Sequence, residues 1–101
     1  MSTKPESKLQ RKIRKVLEET VGGFWVKIHG SQYQKAGLPD LLGCVDGLFF
    51  GLEVKLQDIG EPTKLQIETI SDINRAGGVA TIVRSPEEAI NIVRLALTKN
   101  D

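Results

Sequence analysis

The fold is decided by the stretch from Pro39 to Lys55, which reads PDLLGCVDGLFFGLEVK. Two short apolar runs flank Asp46-Gly47, a dipeptide that favours a two-residue hairpin turn. The sequence therefore predicts an antiparallel pair of strands, one over residues 40–45 and the other over residues 48–56.

The alternation of residue types along the second strand distinguishes its two faces. The even positions of residues 48–56 are all apolar, so that face is expected to be buried. Glu53 and Lys55 occupy odd positions and therefore point to the same side of the sheet. A carboxylate and an ammonium on a central strand are costly to bury unless they pair with each other or serve a function.

Asp40 begins the other strand of the hairpin. In a hairpin with its turn at residues 46–47, residue 40 lies opposite a residue near 53 to 55, so the side chains of Asp40 and Glu53 can approach one another. Two carboxylates at this range repel, and a bound divalent cation relieves the repulsion. The residue types fit metal-assisted phosphodiester hydrolysis. A plain Glu53–Lys55 ion pair and a Pro-Asp turn role for Asp40 are the alternatives.

The sequence on either side of the hairpin predicts the remaining elements. Helices are predicted over residues 4–20 and 63–76 and from residue 85 to about residue 97, with further strands over residues 24–28 and 79–83. The order is α-β-β-β-α-β-α, and the crossover through a helix from the third strand to the fourth predicts a parallel pair. The fold class is therefore α/β, with a mixed sheet flanked by helices.

All three predicted helices begin with a capping signal, the third at Ser85-Pro86-Glu87-Glu88. Thr3 and Glu6 form a T-x-x-E box, and Thr63 and Gln66 form a T-x-x-Q box. Glu6 and Gln66 are thus candidates for a capping role, a role in the site, or both. Gln66 begins the apolar stripe of its helix at the end nearest the candidate site, which favours function.

Two residues are expected to have structural roles. Cys44 lies inside a strand between Gly43 and Val45 and is predicted to be a small buried hydrophobe. The side chain of Trp25 is expected on the opposite side of its strand from those of Phe24 and Val26. Partial burial against the first helix is predicted for it.

Composition limits the possible metal sites and surroundings. The 101 residues, with a net charge of +1, fit a single domain over residues 1–101. One cysteine and one histidine exclude an internal disulfide framework and a multi-histidine zinc site, so any metal would be bound by oxygen ligands. No apolar run of about 18 residues is present, so no membrane span is predicted. A reducing cytoplasm is the expected compartment.

The chemistry-bearing residues resemble a known signature. Gly37-Leu38-Pro39-Asp40, followed by Glu53-Val54-Lys55, is similar to the PD-(D/E)xK nuclease motif. The wider arrangement resembles the VRR-NUC domain of that superfamily, since it adds Glu6 in the first helix, Gln66 at the start of the second helix and Ala76-Gly77-Gly78 before the last strand. The resemblance covers roughly residues 6–95 and implies a restriction-endonuclease-like core.

The resemblance implies a metal site and assigns a role to each residue in it. Asp40, Glu53 and the backbone carbonyl of Val54 would bind Mg²⁺ or Mn²⁺, and Glu6 would approach the ion directly or through water. Lys55 would position or activate the attacking water. Gln66 would complete the catalytic set by supporting this lysine or the metal-bound water.

The resemblance also implies an activity. Stand-alone members of the family, from phage and bacteria, look like homodimeric endonucleases that cut Holliday junctions or other branched DNA. The expected surroundings are therefore a bacterial cell or a phage-infected host. Two alternatives remain: a nuclease-fold module that binds nucleic acid without cutting it, and an interaction subunit in which Glu53 and Lys55 are only a structural pair.

Candidate DNA-binding residues lie near the predicted site. Residues 1–20 carry six lysines and arginines against three glutamates, which favours an anionic partner on this side, with a solvated helix face as the alternative. The loop after the first strand is polar and can grip phosphates. The predicted DNA-binding residues are Lys8, Lys12, Lys27, Ser31, Gln32, Gln34 and Lys35.

Overall fold

The structure is a computed structural model that describes residues 4–30, 33–57 and 60–99. The described part of the chain forms three helices and four strands in the predicted order. The elements are α1 (Pro5–Thr20), β1 (Phe24–Lys27), β2 (Leu41–Val45), β3 (Leu48–Val54), α2 (Lys64–Arg75), β4 (Val79–Val83) and α3 (Pro86–Lys99). Over these residues, no helix is long and apolar enough to cross a membrane.

The sheet is mixed, as predicted. Its strand order is β1-β2-β3-β4, with antiparallel β1–β2 and β2–β3 pairs and a parallel β3–β4 pair. The β2–β3 turn has φ of 51° at Asp46 and 82° at Gly47, the left-handed conformation that a tight hairpin turn requires. Because Leu41 lies opposite Leu52 in this hairpin, the residues next in line, Asp40 and Glu53, meet at one edge of the sheet.

The core lies on one face of the sheet, under α1 and α3. The even positions of β3 point into it, and Phe50, Leu52 and Val54 are fully buried. Ile13 and Leu17 of α1, with residues of α3, complete the same cluster. Among the described strands, α2 packs chiefly against β4 and β3, on the opposite face, so this second layer covers that half of the sheet.

Trp25 is buried more deeply than the sequence predicted. Trp25 is 1% exposed and Phe24 is 69% exposed, so Trp25 is a core residue rather than a partly buried one. Its ring lies opposite Gly43, where the missing side chain leaves room, and its centroid is 5.8 Å from that of Phe50. Its indole N–H donates to the Gly22 carbonyl at 2.9 Å.

The prediction that Cys44 is buried is wrong. The side chains of β2 alternate, and Leu41, Gly43 and Val45 face the core. Cys44 therefore lies on the opposite face of the sheet. It is exposed because α2 packs against β3 and β4 and does not extend over β2.

The predicted cap of the first helix is also displaced. The N-cap of α1 is Lys4, its side chain makes no capping hydrogen bond, and Pro5 is the first helical residue. Thr3 lies outside the described residues. Glu6 is therefore the second helical residue and not the third, so it does not hold the capping-box position.

Replacing Gly43 with alanine tests the packing that buries Trp25. An added Cβ would lie 2.2 Å from the indole Cε3, so the ring must move. Overpacking of this kind costs about 1–3 kcal/mol, which for a domain of this size lowers the Tm by roughly 5–15 °C. Gly30→Ala is the matched control, because nothing lies within 4 Å of its added Cβ. Equal melting temperatures for the two variants would contradict this packing.

Candidate metal and catalytic site

Chain direction brings the candidate residues to one edge of the sheet. β2 begins at this edge, and β3 and β4 end there, because β2 is antiparallel to β3 and β4 is parallel to it. α1 and α2 begin near the same edge. The structure thus brings together Glu6, Asp40, Glu53, Lys55 and Gln66.

Glu53 is the central residue of the site. Its side chain is 2% exposed, and its Oε2 accepts a hydrogen bond from Gln66 Nε2 at 2.9 Å. Lys55 Nζ lies 3.5 Å from the same oxygen. The other oxygen, Oε1, is buried and has no hydrogen-bond partner within the described part of the chain. A buried carboxylate oxygen without a donor is costly, and a cation beside it would compensate.

The electrostatic environment of Glu53 is that of a crowded acidic site. Burial raises its pKa from 4.5 to about 7, and the negative charges of Asp40 and Glu6 act in the same direction. The Lys55 ammonium opposes this shift. Three carboxylates and one lysine therefore influence one another at this edge, and near neutral pH the Glu53 carboxyl is divided between its two protonation states.

The Asp40 carboxylate is attached to β3. Its Oδ2 accepts a hydrogen bond from the Val54 N–H at 2.8 Å, and its backbone carbonyl accepts one from the Ile28 N–H at 2.7 Å. The side chain thus reaches across to the neighbouring strand instead of closing a local turn. Because the N–H and C=O of a strand residue point to the same side, the Val54 carbonyl also points towards Asp40.

Gln66 serves the helix cap and the site with one amide group. Its Oε1 accepts from the Thr63 N–H at 2.8 Å, and its own N–H donates to Thr63 Oγ1 at 3.1 Å, so the predicted capping box is present. Since the amide oxygen is used by the cap, the amide nitrogen is directed at Glu53. Gln66 therefore caps α2 and contacts Glu53 at the same time. The position of Glu6 differs, because its side chain has no hydrogen bond to any described residue.

The donor set fits a hard divalent cation that retains water ligands. The structure's described residues include no cluster of three or more His, Cys, Asp or Glu side chains arranged to hold an ion. Mg²⁺ is often bound through only one or two carboxylates and keeps several waters. Asp40, the unpartnered oxygen of Glu53 and the Val54 carbonyl form a set of this kind.

The predicted DNA-binding residues lie in different parts of the structure. Gln34 and Lys35 line a cleft of about 170 Å³ that reaches Asp40. Lys8 and Lys12 are exposed on α1, in the turns that follow Glu6. Lys27 lies opposite the buried Leu41, on the α1 face of the sheet and away from the carboxylates. Ser31 and Gln32 lie outside the described residues.

Arg84 lies at this edge but was not identified from the sequence. It directly follows β4, and its guanidinium donates to the backbone carbonyl of Leu56 at 2.7 Å. The available signal was positional: parallel strands end at the same edge of a sheet, so the residue after β4 lies level with the residue after Val54.

Replacing Glu53 with glutamine tests the cost of its buried charge. A carboxyl whose folded pKa is about 7, against 4.5 ordinarily, contributes stability that is complete below pH 4.5 and is lost as pH rises through 7. Without divalent metal, Glu53→Gln should therefore be more stable than wild type at pH 8, by up to about 3 kcal/mol. At pH 5 the difference should be much smaller.

The measurement is thermal or urea unfolding in EDTA at both pH values. Glu68→Gln, at an exposed position of α2, is the matched control and should change stability little at either pH. A Glu53→Gln variant that gains no stability at pH 8, or gains equally at pH 5, would show that the charge carries no such cost.

Comparisons with known proteins define the fold. No protein-family model and no curated protein matches the sequence. A solved structure described as "VRR_NUC domain protein" matches with a TM-score of 0.75 and 16% identity, covering 97% of this chain and 92% of the other. A second, described as "VRR_NUC domain", matches with a TM-score of 0.65 and 22% identity, covering 84% and 94%. The predicted fold is thus confirmed: the chain has the fold of VRR_NUC domain proteins over nearly its whole length.

Proposed function

We propose that this chain is a VRR-NUC nuclease, a Mg²⁺- or Mn²⁺-dependent endonuclease that hydrolyses phosphodiester bonds of branched DNA. The observation that carries the proposal is the buried Oε1 of Glu53, which has no hydrogen-bond partner among the described residues, in a carboxyl group that Asp40, Glu6 and Lys55 influence electrostatically. A structural Glu53–Lys55 ion pair would account for Oε2, which already has two partners, but not for Oε1.

The proposed ligands of the ion are Asp40, Glu53 and the Val54 carbonyl, with Glu6 acting directly or through water. When bound, such an ion supplies Lewis-acid activation of the scissile phosphate and of the attacking water. The chain keeps the ligands oriented beforehand: the Val54 N–H fixes Asp40, and Gln66 fixes Glu53 by its second oxygen. Preorganised ligands need no rearrangement during the reaction.

Lys55 is the proposed partner of the reacting groups. Its side chain is 14% exposed and its ammonium is held 3.5 Å from Glu53 Oε2. From this position it can donate a hydrogen bond to the attacking water or to a phosphate oxygen, and its charge offsets the negative charge that develops on the phosphate. Gln66 limits the freedom of Glu53 and thereby supports the same geometry.

The proposed DNA surface combines the cleft with the exposed face of α1. Gln34 and Lys35 lie beside Asp40, where a phosphate next to the scissile one would pass, and Lys8 and Lys12 extend the basic surface along α1. The remaining proposed contacts are Lys27, Ser31 and Gln32. Contacts of this type are mostly independent of sequence and weaken with salt.

A homodimer is part of the proposal. One site cleaves one strand, and symmetric incision of a four-way junction requires two sites related by a two-fold axis. The proposed preference for branched DNA therefore requires the dimer. Sedimentation of the protein with and without junction DNA tests whether the dimer forms.

A module that binds nucleic acid without cutting it is the second candidate. The observation in its favour is that the described residues provide no cluster of three or more acidic or other metal-binding side chains. This candidate predicts salt-dependent DNA binding by the wild-type protein and no product with either Mg²⁺ or Mn²⁺.

The proposed site can be tested with isosteric and truncating variants. Purified protein is incubated with Mn²⁺ or Mg²⁺ and labelled linear, flapped and four-way DNA. Asp40→Asn, Glu53→Gln and Lys55→Ala should each lower the cleavage rate by at least about 100-fold, because each removes a charge that acts on the reacting phosphate or water. Wild-type activity in Glu53→Gln would remove that residue from the site.

Matched controls exist away from the site. Asp46→Asn lies in the turn at the far end of the same hairpin, Glu68→Gln lies on the exposed face of α2, and Lys99→Ala lies at the end of α3. Each should cleave within about twofold of wild type, since exposed substitutions away from such features have small effects. Equal loss in the controls would indicate a general effect on folding instead.

A further inference from the structure

We propose that Arg84 is a positioning residue for Lys55. Its guanidinium holds the backbone that follows β3 and so keeps the lysine ammonium beside Glu53. The catalytic consequence rests on the proposed function, whereas the positioning itself can be measured in the metal-free protein. The inference depends on the contacts of Arg84 with Leu56 and Gly60.

Arg84 joins the end of β4 to the segment that leaves β3. Its Nη1 donates to the Leu56 carbonyl at 2.7 Å, and its Nη2 donates to the Gly60 carbonyl at 3.4 Å. The two carbonyls belong to residues that are four positions apart, so two nitrogens of one rigid fork fix two points of this segment.

The backbone of Arg84 is itself held by the start of α3. Its N–H donates to Glu88 Oε1 at 3.0 Å, and the Glu88 N–H donates to Ser85 Oγ at 3.1 Å. The guanidinium therefore extends from a fixed base at the junction of β4 and α3. Because its backbone is bonded to Glu88 and its guanidinium to Leu56, Arg84 fixes the segment after β3 relative to α3.

Lys55 is the residue at which the sheet stops supporting β3. Its N–H still donates to the Val83 carbonyl at 3.0 Å, but β3 itself ends at Val54. The next carbonyl, that of Leu56, is held by the Arg84 side chain. The guanidinium thus holds the chain at Leu56, beyond the end of β3, where the strand pairing no longer does so.

The second contact of Arg84 acts on the side chain of Lys55. A Cβ added at Gly60 would lie 3.8 Å from Lys55 Cδ, so Gly60 lies beside the lysine stem. By donating to the Gly60 carbonyl at 3.4 Å, Arg84 keeps this residue beside the stem. The 14% exposure of Lys55 and its 3.5 Å approach to Glu53 both depend on the stem staying in this place.

The positioning can be tested without metal or DNA, by measuring how fast Lys55 is acylated. Wild type and Arg84→Gln are treated with N-hydroxysuccinimide acetate, and modification is followed by peptide mass spectrometry. The rate at Lys55 is divided by the rates at the exposed Lys64 and Lys99, which serve as internal references. Arg84→Gln should raise this ratio at least about fivefold, the factor for losing one net hydrogen bond.

Two further variants control this measurement. Arg75→Gln removes an exposed arginine that pairs with Asp72 at the end of α2, and it should leave the ratio unchanged. Arg84→Lys keeps the charge and one donor and should give an intermediate ratio. If Arg84→Gln melts below the assay temperature, Arg84→Lys replaces it. A ratio equal to that of wild type in a folded Arg84 variant would overturn the proposal.

Kinetics test the catalytic consequence. Because the guanidinium binds the chain's own Leu56 and Gly60 carbonyls, Arg84→Gln should lower kcat by at least about tenfold and change KM for junction DNA by less than about twofold. Arg84→Lys should recover part of kcat. An unchanged kcat together with faster acylation of Lys55 would overturn this consequence. If the wild type does not cleave DNA, the proposed function fails, and the acylation ratio still decides the positioning.

Discussion

The structure of the site depends on one constraint, a carboxylate buried at the end of a central strand with one of its two oxygens unsatisfied. The Oε2 of Glu53 is engaged by Gln66 and Lys55, while Oε1 lacks a donor among the described residues. Burial and the nearby acidic groups raise the pKa of this carboxyl to about 7. Side chains from α1, from α2 and from the ends of β2 and β3 surround this charge, namely Glu6, Gln66, Asp40 and Lys55.

The placement follows from simple backbone rules. A tight turn at Asp46 and Gly47 sets the register of β2 against β3 and thereby brings Asp40 level with Glu53. A helical crossover makes β4 parallel to β3, so their carboxyl ends meet and Arg84 lies level with Lys55. The same crossover begins at the α2 cap, where Gln66 is directed towards the site by its bond to Thr63. Local turn and cap chemistry therefore determines the geometry of a site built from distant residues.

The sequence was sufficient for the hairpin, its register, the parallel pair and the α2 cap, because each depends on patterns within a short segment. It was insufficient for the depth at which Trp25 is buried and for the exposure of one face of β2. Parity shows that Phe24 and Trp25 point to opposite sides, but the full burial of the ring depends on the room left by the opposite Gly43. Cys44 was misplaced for the same reason, since the extent of α2 over the sheet is a tertiary property. Arg84 was missed because the Leu56 and Gly60 carbonyls that it contacts carry no sequence signal, so only its position after β4 pointed to this edge.

The most direct test of this account is a crystal structure with Mn²⁺ bound, in which anomalous scattering locates the ion without reference to any activity. The account predicts a single strong peak about 2.0–2.6 Å from Glu53 Oε1 and from a carboxylate oxygen of Asp40, with water completing the coordination. A structure in which saturating Mn²⁺ leaves this position empty, with Glu53 Oε1 hydrogen-bonded to the protein or protonated, would contradict it.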